Sequence, residues 1–210
     1  MRDVDNEGYH VAMAHPSLQD LYGRQYEDQR HRSGMARAFA EFNAGPGKLW
    51  SVRHYKKLLP EAGHLPESHR RAWWYVGLFP NAVLMLYPDC IGFYQEYPLA
   101  VDRTVQRSAY YGLADDSRDM KLARYLSNRI DRSTAEEDKQ LIRWSWEAMQ
   151  SSAFSGYILS DLEVGVRDYH DRLRQVIPAF TLEEEPSTGS LAEVNTALLA
   201  SRNAPVWPAT

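Results

Sequence analysis

The chain is poor in cysteine, has no long apolar run and carries no excess of positive charge. Among its 210 residues the single cysteine is Cys90, in an apolar stretch. One thiol excludes an internal disulfide and any multi-cysteine metal centre, and Cys90 reads as a small buried residue. No segment reaches the roughly 20 apolar residues of a membrane span. The first residues, Met-Arg-Asp-Val-Asp-Asn-Glu, lack the apolar core of a secretory signal. A cytoplasmic location is therefore expected. A formal net charge of -4 argues against nucleic acid or an anionic membrane as the main partner. There is no internal repeat.

What is present is ordinary for a globular chain: 44% hydrophobic and 25% charged residues, enough for one domain with a sizeable core. The 13 tyrosines and 6 tryptophans favour a large aromatic core over an aromatic-lined pocket. Leu18, Leu21 and Tyr22, then Met35, Phe39 and Phe42, recur at helix-like spacing and predict a mostly helical stretch from Pro16 to Phe42. Residues 48 to 72 are polar and basic and read as loop with a short helix. Four runs rich in aromatic and β-branched residues follow, Trp73–Phe79, Ala82–Tyr87, Ile91–Tyr97 and Thr104–Tyr111. Their short Pro- and Asn-containing connections require antiparallel pairing.

Beyond Asp115 the period changes. Met120 to Ile130 predicts one helix, Leu141 to Met149 a second, and a capping box at Ser160 and Glu163 opens a third that runs to Ile177. Residues 1–182 are expected to form the working domain. Residues 183–210 read as a linker, a short amphipathic piece at Leu191–Leu199 and a frayed tail. The class expected is α+β, an antiparallel sheet with a long helix near its C-terminus.

The most informative stretch is Glu7-Gly-Tyr-His10-Val-Ala-Met-Ala-His15-Pro16. Imidazoles five residues apart lie about 140° apart on a straight helix of roughly 3.6 residues per turn. They share a face only if the helix breaks. Pro16 disfavours helical geometry at His15 and offers one break, and a one-residue π-bulge offers another. Glu7, three residues before His10, is positioned to hold an imidazole N–H. On spacing alone, two unrelated histidines beside a proline remain the alternative. His170, among Asp168 and Asp171, reads as a helix-surface residue.

This stretch resembles the iron-binding segment of Rieske non-haem iron ring-hydroxylating oxygenase alpha subunits. Far downstream, Glu137-Asp138-Lys139-Gln140-Leu141 resembles the segment that supplies the family's carboxylate ligand, and Gly156 to His170 is similar to its closing helix region. The likeness covers roughly residues 5 to 180, with both motifs in order. It implies a helix-grip (START-like) fold, an antiparallel sheet wrapped around a long C-terminal helix. It also implies His10, His15 and Asp138 as ligands of a mononuclear Fe(II), a facial triad that leaves positions open for O2 and substrate. Glu136 and Glu137 are the local competitors of Asp138. Glu7 matches the acid that bridges electrons to the iron or orients a ligand.

The same resemblance implies O2-dependent hydroxylation or demethylation of a small organic substrate, aromatic or a quaternary amine. Trp73, Phe93, Tyr110, Trp144 and Phe154 are candidates to line its site. Partners implied are a Rieske domain or subunit, an NAD(P)H-linked reductase and a homotrimeric assembly. Two departures stand out. One cysteine cannot hold a [2Fe–2S] cluster, so the electron donor is expected on another chain and this chain as the catalytic half, N-terminally truncated. Asn6 stands only four residues before His10, closer than the family's usual asparagine. A non-catalytic helix-grip domain that binds a hydrophobic ligand, or an inactive remnant, is the rival reading. A Zn(II) hydrolase built on the same ligands, active without O2, is a third.

Overall fold

A computed structural model describes residues 1–32, 35–114, 117–184, 186 and 189–201. Two short helices, α1 (Val11–Ala14) and α2 (Pro16–Leu21), are followed by strands β1 (Tyr26–Arg32) and β2 (Met35–Glu41) and by helix α3 (Trp50–Leu58). Strands β3 (Ala72–Leu78), β4 (Ala82–Leu86), β5 (Ile91–Ala100) and β6 (Arg103–Tyr111) complete the sheet. Helices α4 (Arg118–Met149), α5 (Val164–Val176) and α6 (Leu191–Ala200) close the chain. The six strands pair in sequence order, each antiparallel to the next. The architecture is α+β, as expected, and the last four strands lie within a few residues of their predicted bounds.

Two expectations fail. The stretch from Pro16 to Phe42 is not mainly helical: α2 stops at Leu21, Gly23 takes a left-handed turn at φ 61°, and β1 and β2 follow. Met35 and Phe39 are four apart, a spacing that is also even and so consistent with one face of a strand. The face turned inward carries the small residues Ala38 and Ala40, while Phe39 packs against Trp74 of β3 at 4.5 Å between ring centroids. Nor are there two helices between 118 and 149. The polar stretch that looked like a break, Arg132 to Gln140, holds neither glycine nor proline and is rich in helix formers, so the helix continues.

The continuous α4 is 32 residues long, about 48 Å at 1.5 Å per residue. Ser117 caps it, accepting from Met120 N. Met120, Ala123, Leu126 and Ile130 recur at helical spacing and enter a core shared with Val83, Met85 and Tyr87 of the sheet and Val52 and Tyr55 of α3. A buried polar clamp fixes the helix there. Tyr55 Oη donates to Asp89 Oδ1 at 2.5 Å, Ser127 Oγ donates to Oδ2 at 2.6 Å, and Arg124 grips the Asp89 carbonyl. Cys90 is buried beside it.

The predicted capping box at Ser160 and Glu163 is present, opening the turn that leads into α5, and a second one at Ser190 and Glu193 opens α6. The frayed tail was expected in a region of which residues 202–210 lie outside the described residues. Among the described residues, no helix is long and apolar enough to cross a membrane.

Candidate metal centre

His15 stands between α1 and α2, closing one and opening the other, with φ -119° and ψ 86°. Pro16 occupies the first turn of α2, where its missing N–H is harmless and its ring bars helical geometry at His15. Of the two breaks the spacing allowed, the proline break is the one found. It turns the two imidazoles toward each other: their Nε2 atoms are 3.1 Å apart and the rings meet edge to face, with centroids at 5.0 Å.

Asp138 reaches this pair from α4. Its Oδ1 lies 3.1 Å from His15 Nε2 and 3.8 Å from His10 Nε2. The neighbouring acids are sorted by helix geometry. Glu136 points outward to Lys139, and Glu137 reaches His15 Nδ1 at 2.8 Å while accepting from Ser133 Oγ. On the other imidazole, Glu7 Oε1 stands 2.6 Å from His10 Nδ1 and Oε2 accepts from the His10 backbone N–H.

These contacts assign the tautomers. Each Nδ1 faces a carboxylate, an acceptor only, so each Nδ1 carries the hydrogen and each Nε2 keeps a lone pair. Two nitrogen lone pairs and a carboxylate oxygen therefore converge on one point. With His15 neutral in this tautomer, Asp138 Oδ1 at 3.1 Å from its Nε2 receives no hydrogen from it and is left without a donor. A buried acceptor without a donor is costly, and three converging acceptors repel unless a cation lies among them. Burial opposes charging of His15, yet hydrogen bonding and charge from Asp138 and Glu137 outweigh it and raise its pKa, so that without a cation a proton on Nε2, donated to Asp138, takes the place of the positive charge. The pocket favours positive charge.

The three ligand atoms lie within 4.8 Å of one another and form the group of metal-binding character among the described residues. His15 is buried, and His10 and Asp138 are half-buried. Two imidazoles and one carboxylate make a donor set suited to Fe(II), with neutral nitrogen donors and a single compensating charge. The residues fit such an ion.

Further residues shape the site, and their roles were not legible in the sequence. Glu137, read only as a competitor of Asp138, contacts the outer nitrogen of His15. Gly8 is required by close approach: a Cβ there would lie 1.8 Å from Tyr26 Cε1. Asn6 is buried and donates to the Arg2 carbonyl in the turn that leads to Glu7. His170 lies on α5 and pairs with Asp3 at 2.9 Å. Glu7 also borders a surface depression of about 410 Å³ lined in part by Asp3, Tyr157, Glu163 and His170. Of the aromatic candidates, Trp73 is fully enclosed in the core and stacks on Tyr87, which corrects its placement as a substrate contact. Trp144 and Phe154 are exposed, Phe93 is half-buried, and Tyr110 donates to Asp131.

Residues 1–179 match the family described as the ring hydroxylating alpha subunit (catalytic domain). The chain belongs to this family. No curated relative matches its sequence. Among solved structures, the chain is similar to a quaternary ammonium Rieske monooxygenase described in connection with carnitine oxidation by gut microbiota. The TM-score is 0.58 and the identity 16%, over 82% of this chain and 46% of that one. A second similar structure is the quaternary ammonium Rieske monooxygenase CntA in complex with an inhibitor. There the TM-score is 0.54 and the identity 14%, over 81% of this chain and 44% of that one. The chain thus spans less than half the length of these structures, and at this identity the likeness establishes a shared fold.

Proposed function

We propose that the chain supplies the mononuclear Fe(II) centre of a Rieske-type oxygenase, with His10, His15 and Asp138 as ligands and residues 1–182 as the catalytic domain. One observation carries the reading: two Nε2 lone pairs and an unpartnered, buried Asp138 oxygen converge from three elements of the chain. Bound Fe(II) supplies the reduction of O2 that hydroxylation or demethylation requires. The chain's own groups set the conditions for it. Glu7 and Glu137 hold both imidazoles in the tautomer that presents Nε2, and Asp138 offsets part of the charge on the ion.

Three donors of this kind would leave further positions of a bound ion for O2 and substrate. The substrate is a small organic molecule, aromatic or a quaternary amine of the kind named for the structural neighbours. Electrons come from a Rieske centre on another domain or chain, served by an NAD(P)H-linked reductase, in a homotrimeric assembly. Glu7, which touches His10 and also borders a surface depression, is the group through which that donor meets the iron.

Nitric oxide tests the reading directly, because it binds Fe(II) only where a position is open. The anaerobically reconstituted chain is expected to give the high-spin iron–nitrosyl signal in electron paramagnetic resonance, and Asp138→Ala is expected to lose it. A signal of equal intensity in both proteins, or none in the wild type, would rule the reading out.

A further inference from the structure

The core that joins the sheet to α1, α2, α3 and α4 uses one face of it, through Ala40, Trp73, Val83 and Met85. Side chains alternate along a strand, so the residues between these point to the other face. There, Trp74, Leu86 and Ile91 stand in one row across β3, β4 and β5, and Val76, Leu84 and Phe93 stand in the next. None of these six belongs to the core. Ile91 is 53% exposed and the other five are half-buried. The first row continues into Phe39 of β2 and Tyr111 of β6, the latter 60% exposed. His69, from the turn before β3, stacks on Trp74 at 4.7 Å and covers one corner of the face.

An antiparallel sheet with one wet face alternates apolar and polar residues. That alternation is missing from the middle of this sheet. Strands β3 and β4, Ala-Trp-Trp-Tyr-Val-Gly-Leu and Ala-Val-Leu-Met-Leu, carry no charged or amide side chain on either face. Such continuous apolar runs are the pattern of strands covered on both sides. Charge returns to the outer face only on the flanking strands, with Glu27 of β1, Arg37 of β2 and Arg107 of β6. An apolar centre within a polar rim is the anatomy of an interface. Its size suits one. Six strands about 4.8 Å apart, each offering about seven residues at roughly 3.4 Å, make a face on the order of 24 Å by 24 Å, and two such faces together would bury roughly 1,200 Å², enough for a stable pair. Two sheets pack face to face about 10 Å apart when both inner faces are apolar and interdigitate. The same face of a second copy meets that requirement, and pairing through it leaves neither apolar patch in water.

We propose that the outer sheet face centred on Leu84 is a self-association surface, covered by the same face of a second copy of this chain related by a twofold axis. The pairing is independent of the metal centre, whose ligands come from segments packed on the other face of the sheet. A twofold pair adds to a threefold ring and does not compete with it, so the assembly expected holds two chains or six.

Sedimentation equilibrium and light scattering of the full chain, from micromolar to submillimolar concentration, read the mass of the assembly. Wild type is expected at an even multiple of the 24.2 kDa chain mass. Leu84→Arg puts a charge at the centre of the face and is expected to halve that mass. Should this half-buried position unfold the chain, as circular dichroism would show, Ile91→Arg at an exposed side chain carries the same prediction. Trp144→Arg, on the exposed side of α4, is expected to leave the mass unchanged. A wild type of one chain or three overturns the proposal, because the face is then bare or covered by something other than its own copy. An even-numbered assembly that the sheet variants leave whole, or that Trp144→Arg halves as well, places the contact elsewhere and overturns it too.

Discussion

His15 Nδ1 and Glu137 Oε2 stand 2.8 Å apart, and this contact decides which imidazole nitrogen faces Asp138. Glu137 and Asp138 are consecutive on α4, so their side chains leave the helix about 100° apart at roughly 3.6 residues per turn. One carboxylate can therefore sit at the outer nitrogen of His15 and the other at its inner nitrogen. The pair works as a unit set by a single helix.

Removing the outer carboxylate is expected to weaken metal binding without abolishing it. Glu137→Ala should lower Fe(II) affinity by roughly 10- to 100-fold, the usual effect of losing such a partner of a ligating histidine. Glu137→Gln keeps an acceptor for the Nδ1 hydrogen and should lose less. Anaerobic competition titration against a chelator measures both, and equal affinity in all three proteins would show that Glu137 plays no part.

Gly8 sets how closely the first segment lies against β1. A Cβ at this position would meet the ring of Tyr26, which is packed against the core. Gly8→Ala should therefore displace Glu7 and His10 together. A loss of about 1–3 kcal/mol in stability is expected from such overpacking, with weaker Fe(II) binding alongside it. Denaturant unfolding and the same titration check the two effects.

The pH dependence of stability should carry the mark of Asp131. Burial, opposed by the hydrogen bond from Tyr87, pushes its carboxyl from 3.8 up to about 7. The folded chain thus holds a proton that the unfolded chain releases. The resulting stabilisation is fully present below pH 3.8 and is lost as pH rises through about 7. Asp131→Asn has no such proton, so its stability should fall less between these limits. The difference in slope from wild type should not exceed about 1.4 kcal/mol per pH unit. Urea unfolding across that range measures it, and parallel profiles would contradict the assignment. Glu96, raised by burial to about 8, acts in the same direction in both proteins.

The sheet from Ala72 to Tyr111 was legible because alternation, aromatic content and short turns all agreed there. The hairpin from Tyr26 to Glu41 was not, since Met35 and Phe39 fit a helical stripe and a strand face equally well. Only the neighbouring strands decide between them. The ligand set His10, His15 and Asp138 was implied by the resemblance of two short motifs, and its convergence depends on a proline break and a helix that meet only in three dimensions. Glu137 and Gly8 were illegible for the same reason. Each acts through a contact between segments distant in sequence, for which a single chain carries no local signal.

The proposed metal centre is tested most directly by the stoichiometry of Fe(II) uptake under anaerobic conditions. Wild-type protein is expected to bind one Fe(II) per chain, and His10→Ala, His15→Ala and Asp138→Ala to bind none stoichiometrically while remaining folded. A wild-type chain that takes up no stoichiometric Fe(II), or variants that take up as much as the wild type, would show that these three residues do not form the iron site.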